Sequence, residues 1–148
     1  MKEQLDCSVQ TERLLNASPQ EVYSAFEDPA LLAQWWGPEG FTNTFSQFEF
    51  VPEGRWVFTM HAPNGANYLN DSIFRELVPN ERLVIEHIVM PWFRLTVTLS
   101  PSENKTLLHW HQEFENPTVA AAMRELSTTA NEQVLDRLGS ILTKTQTY

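Results

Sequence analysis

Polar and apolar positions change their period twice along the chain. Residues Asp6 to Leu15 set Val9 and the Leu14–Leu15 pair among polar neighbours and predict a first strand. Ser18-Pro19-Gln20-Glu21 is a capping box. The serine hydroxyl accepts from the Glu21 amide, the glutamate reaches back, and Pro19 occupies a position where no N–H is needed. Val22, Tyr23, Ala25 and Phe26 give the following helix one apolar stripe. Asp28-Pro29 repeats the signal and opens a second short helix through Leu31, Leu32 and Trp35, which Gly37-Pro38 ends.

From Phe41 to Phe114 the period is two. Phe48 and Phe50 alternate with polar residues, then Trp56, Phe58 and Met60 do so beyond Pro52-Glu53-Gly54. Pro63-Asn64-Gly65 reads as a hairpin turn, and Tyr68 to Val78 as a longer strand. Leu83, Ile85 and His87 share a face, as do Phe93, Leu95, Val97 and Leu99 after Pro91. Leu108, Trp110, Gln112 and Phe114 follow the turn at Ser100 to Asn104. Six strands joined by tight turns predict an antiparallel meander. Asn116-Pro117 then caps a long helix whose stripe is Val119, Met123, Leu126, Ala130, Val134, Leu138 and Ile141. Such a helix, roughly 27 residues long, spans about 40 Å. No second helix of that length is available to receive its stripe, so it must lie on the sheet.

The fold class is therefore α+β: a curved antiparallel sheet wrapped around a long C-terminal helix, with two short helices after the first strand. Residues 1–148 are read as one domain. A twisted sheet curls, and one helix about 10 Å wide does not fill a broad concavity. Small residues at Ala122 and Ala130 widen the gap. Either large side chains plug this space or it takes an apolar ligand with a few polar contacts. By strand parity Trp56, Phe58, Met60, Phe93 and Trp110 line it from the sheet, Met123 from the helix and Trp36 from the second short helix. His87 and Gln112 also point inward. They either orient a polar group of the ligand or are hydrogen-bonded core residues.

Three local stretches carry a family resemblance: Trp35-Trp36-Gly37-Pro38-Glu39-Gly40-Phe41, Pro79-Asn80-Glu81-Arg82-Leu83-Val84 and Val134-Leu135-Asp136-Arg137-Leu138. Together with the element order they resemble the START-related, birch-pollen-allergen-like (SRPBCC) superfamily. Within it they resemble the bacterial proteins related to the C-terminal domain of the activator of the heat-shock protein 90 ATPase. The resemblance implies a helix-grip fold and a scaffold for hydrophobic ligands. It also implies two alternatives, a chaperone-associated protein and a cyclase-, dehydratase- or hydrolase-type enzyme.

Composition narrows the remaining classes. A net charge of −9 argues against a surface that tracks nucleic-acid phosphates. No apolar run is long enough to insert in a membrane, and MKEQLDCSVQ lacks a signal-peptide core, so a cytoplasmic location is expected. A single Cys excludes an internal disulfide and a thiolate zinc cluster. His109 and His111 are two residues apart on a strand, on its outer face by parity, and lack a third ligand. No nucleophile, phosphate or dinucleotide motif occurs, and no cofactor is implied. His87 is the one inward titratable group, so an enzyme is the less favoured reading. The leading expectation is a noncatalytic binding protein for a small apolar molecule. Aromatic residues around the second helix serve either the mouth of the site or a homodimer contact.

Overall fold

The structure, a computed structural model, describes residues 6–145. Strand β1 (Ser8–Leu15) precedes α1 (Pro19–Glu27) and α2 (Pro29–Trp35). The strands β2 (Thr42–Phe48), β3 (Gly54–His61), β4 (Asn67–Val78), β5 (Arg82–His87), β6 (Phe93–Ser102) and β7 (Lys105–Phe114) follow, and α3 (Pro117–Thr145) closes the described chain. The strands form one antiparallel sheet in the order β1-β7-β6-β5-β4-β3-β2. This is an α+β helix-grip architecture. The meander runs from β2 to β7, and β1 adds itself to the β7 edge.

Local chemistry sets the element ends. The Glu21 amide donates to Ser18 Oγ at 3.1 Å and the Ser18 amide to Glu21 Oε1 at 2.9 Å, so the capping box is complete. Asp28 accepts from the Ala30 amide at 2.9 Å, and Asn116 caps α3 by accepting from the Val119 amide at 2.9 Å. Register shifts between Phe45 and Gln47 in β2, and between Phe74 and Glu76 in β4, bend the sheet where it must curl.

One sheet face is buried against α3, α1 and α2. Leu83, Ile85, Leu95, Val97 and Leu108 share one core cluster with Val134, Leu135, Leu138 and Leu142 of α3. The predicted α3 stripe is correct toward the C-terminal end, and Val119 and Met123 pack on a smaller cluster at the other end, but Leu126, between the two ends, fails it. Leu126 is 65% exposed and Ala122 is exposed, while Ser127 and Asn131 are buried. The reason lies on the opposing strand: Asn131 Nδ2 donates to Gln112 Oε1 at 3.1 Å. A buried amide needs a partner more than the helix gains by turning one leucine inward. Arg13 of β1 reaches Glu132 at 2.6 Å and Asp136 at 2.9 Å on α3. The acidic partners are half or more exposed, so these pairs position the helix more than they stabilise it.

The strongest tie from α3 goes to the segment after α2. Arg137 Nη1 donates to the carbonyls of Trp36, Gly37 and Pro38 at 3.2, 2.8 and 2.9 Å. Its Nη2 donates to those of Gln34 and Phe41 at 2.6 and 3.1 Å. Several of these oxygens are the free C-terminal carbonyls of α2, where a cation is electrostatically favoured. Asn43 Nδ2 adds bonds to the carbonyls of Ala33 at 3.1 Å and Trp36 at 2.9 Å. Gly37 has φ +95, a backbone conformation that favours glycine and strains any residue with a Cβ, which would also push the Met60 methyl aside at 2.7 Å. We expect Arg137→Ala to lower stability by about 3 kcal/mol in urea unfolding. Arg137→Lys should recover little of this, because an ammonium cannot span five carbonyls with a planar fork.

Candidate functional site

The inner face gathers an aromatic group around Trp36. Trp35 is fully buried and donates Nε1–H to the Ala25 carbonyl at 3.0 Å, fixing the end of α2 to α1. Trp36, the next residue, turns the other way. Its ring centroid lies 5.0 Å from that of Trp56 on β3 and 5.7 Å from that of Trp110 on β7. In a flat sheet β3 and β7 would stand about 19 Å apart, at about 4.8 Å per strand. Two ring contacts through a single residue carry across that interval because the sheet is curled and its inward side chains converge.

Trp56 is also stacked on Phe58 at 4.3 Å and on Phe74 at 5.7 Å, and it meets Phe45 edge-on at 5.5 Å. The indole N–H groups of Trp56 and Trp110 are buried with no hydrogen-bond partner, as is Thr11 Oγ1, on the residue paired with Trp110 in the β1–β7 ladder. An unpaired buried donor costs about 1–3 kcal/mol, so two on facing walls are a distinct chemical feature of this interior.

The nine residues expected to line the site divide into groups. Trp36, Trp56, Phe58, Met60 and Trp110 belong to one packed assembly with the main core. Met123 packs in a smaller cluster with Val9, Phe114 and Ala120, which Phe93 bridges to the main core. Gln112 is held by Asn131. His87 stacks on Phe93 with centroids 4.5 Å apart. Its Nδ1 lies 2.8 Å from the Pro91 carbonyl, and its Nε2 lies 2.8 Å from Asn70 Oδ1. Both ring nitrogens are therefore engaged, and neither is free to serve as an acid or base in this arrangement. Phe45, Thr11 and Asn131 were not anticipated. Phe45 sits just before a bulge that breaks the strand alternation, and the two polar residues give no apolar signal.

His109 and His111 lie on the outer face with rings 6.2 Å apart, and His109 Nε2 contacts Gln10 at 2.9 Å. Among the described residues no group of three or more metal-ligating side chains forms. Two surface clefts are described. One of about 350 Å³ lies between α1 and the β2–β3 and β4–β5 turns, and one of about 290 Å³ between α1, α2 and the end of α3. Neither contains any of the nine residues.

A curled antiparallel sheet gripping one long helix, with an aromatic interior between them, defines the helix-grip class. Within that class, the family model described as Activator of Hsp90 ATPase homolog 1-like protein matches residues 16–143, and the chain belongs to that family. Protein CV1439 from Chromobacterium violaceum is 27% identical, over 92% of this chain and 96% of that one, with a TM-score of 0.83. Protein NE0264 from Nitrosomonas europaea is 18% identical, over 99% and 100%, with a TM-score of 0.88. The AHSA1-like protein from Aeromonas hydrophila is 18% identical over 94% of each chain, with a TM-score of 0.74. No curated protein matches the chain. Among the described residues no helix is long and apolar enough to cross a membrane.

Burial lowers the pKa of His87 from its ordinary 6.5, with the Pro91 carbonyl and the Asp71 carboxylate acting the other way. The folded chain therefore resists a proton that the unfolded chain accepts. Above about pH 6.5 the ring is neutral in both states and its contribution is intact. Stability should fall as the pH drops below that value toward the lowered folded pKa. Urea midpoints between pH 7.5 and 5 test this: His87→Gln should flatten that part of the profile, and an unchanged slope would remove His87 as its source.

Proposed function

We propose that this protein binds a small apolar or lipid-like molecule, without catalysis, between the inner face of the sheet and α3. The observation that supports this reading is the pair of buried, unpaired indole N–H groups of Trp56 and Trp110 on either side of Trp36. A core selected only to be filled does well with phenylalanine or leucine at such positions, which leave no donor unmet. A molecule with an apolar body and one hydrogen-bond acceptor matches both the rings and the donors. In this reading the Trp36 side chain occupies the ligand's place, and the ligand reaches the interior past the segment from Trp35 to Phe41. Trp56, Phe58, Met60, Phe93, Trp110 and Met123 supply apolar surface, while His87 and Gln112, held by their own partners, shape the polar end.

Native mass spectrometry of the purified protein should detect a retained small molecule. Quenching of tryptophan fluorescence by the probe 8-anilinonaphthalene-1-sulfonate should be saturable. Trp110→Phe, which keeps a ring and removes the donor, should weaken displacement of the probe by the recovered molecule about tenfold. The variant should still unfold cooperatively. No retained molecule together with no saturable probe response would end the proposal.

Association with a heat-shock protein 90 is a second reading, favoured by the description of the matching family. If it holds, adding this protein to a heat-shock protein 90 homologue should raise ATP hydrolysis above the basal rate. Neither binding nor stimulation at micromolar concentrations would dismiss it.

A further inference from the structure

The larger surface cleft is chemically unlike the interior. One face of α1 forms its wall, because Gln20, Tyr23, Ser24 and Glu27 follow the i, i+3, i+4, i+7 spacing of a single helix side. Phe50 and Leu77 supply further apolar surface, and Pro52 and Pro79 stand in the two opposing turns. Tyr23 and Phe50 meet edge to face with centroids 5.7 Å apart, so aromatic surface lies beside a carboxylate. The volume of about 350 Å³ lies at the low end of the range for small-molecule sites.

The electrostatics of the cleft have one sign. No lysine, arginine or histidine lines it. Among the described residues the Glu27 carboxylate makes no hydrogen bond and no ion pair, whereas that of the next residue, Asp28, is already used as the cap of α2. Glu27 is also the last residue of α1, and the last turn of that helix holds no basic residue. A helix C-terminus carries partial negative charge, so a carboxylate there is unfavourably placed and a cation is favoured. The Tyr23 hydroxyl responds to the same environment: burial and the Glu27 charge raise its pKa. Aromatic edges and faces beside an uncompensated carboxylate are the elements that recognise organic ammonium groups.

We propose that the cleft between α1 and the turns at Pro52 and Pro79 is a second binding site, separate from the interior, for a small organic ammonium ion with an apolar or aromatic body. Glu27 pairs with the ammonium, Tyr23 and Phe50 flank it, and Leu77 takes the apolar end. The site needs neither movement of Trp36 nor an occupied interior, so it stands or falls independently of the function proposed above.

The test is a titration of the full chain followed by amide nitrogen–proton correlation spectra, with three probes of the same aromatic body. These are 2-phenylethylammonium, neutral 2-phenylethanol and anionic 3-phenylpropionate. Only the ammonium should give saturable shifts, centred on residues 20–27 and on the turn at 79–80. Glu27→Gln should weaken its binding about tenfold and Glu27→Lys should abolish it, with unfolding midpoints not lowered, because Glu27 is exposed and its carboxylate is unfavourably placed at the end of α1. Equal response to all three probes, insensitivity to Glu27→Gln, shifts centred on Trp56 and Trp110, or no binding of the ammonium at millimolar concentration would each overturn the proposal.

Discussion

A single guanidinium surrounded by backbone carbonyls ties the long C-terminal helix to the segment that follows α2. Arg137 lies in the second half of α3, and the five oxygens it reaches belong to residues 34–41. These five hydrogen bonds all go to backbone carbonyls, so the bonding is to dipoles whose positions the chain path sets. Burial pulls the Arg137 pKa below its ordinary value and the Glu39 carboxylate opposes this. The guanidinium still keeps its proton, as arginine does in proteins. Once this clamp is made, the backbone of Trp36 is fixed over the sheet. The Trp36 ring then packs on those of Trp35, Trp56 and Trp110.

The clamp and the curl of the sheet act together. Bulges in β2 and β4 and the right-handed twist of the strands bring β3 toward β7. The interior then contains more aromatic surface than aliphatic surface around Trp36, and rings pack with defined angles. Leucines and valines from the middle strands and α3 fill the end nearer α1. Thr11, Gln112, Ser127 and Asn131, all buried, lie between this main core and the smaller apolar cluster of Val9, Phe114 and Ala120. A polar band flanked by apolar surface suits a ligand with an apolar body and one polar group, which is the chemistry proposed for the interior.

The surface follows a different logic. On the convex face Arg55 pairs with Asp71, Arg75 with Glu86 and Arg82 with Glu76, so most charge there is locally neutralised. With a net charge of −9, unmatched negative charge is abundant. In the α1 cleft the Glu27 carboxylate, without such compensation among the described residues, borders a concave surface that includes Tyr23 and Phe50.

Much of the fold was legible in the sequence because local rules determine local structure. The capping box at Ser18, the Asp28-Pro29 start of α2, the hairpin at Pro63-Asn64-Gly65 and the alternation in β5, β6 and β7 each follow from residues within a few positions of one another. Trp56, Phe58, His87, Trp110 and Gln112 were readable as inward by parity alone, and all are buried. What no local rule contains is which inward residues meet. The sequence alone cannot show that Arg137 finds the carbonyls of residues 34–41, about a hundred positions away. Nor can it show that Asn131 displaces Leu126 from the core because Gln112 awaits it, or that the Trp56 and Trp110 indoles are left without acceptors. Those outcomes depend on hydrogen-bond geometry between distant segments. Only the curled sheet and the docked helix bring those segments within reach, and so only the tertiary structure decides them.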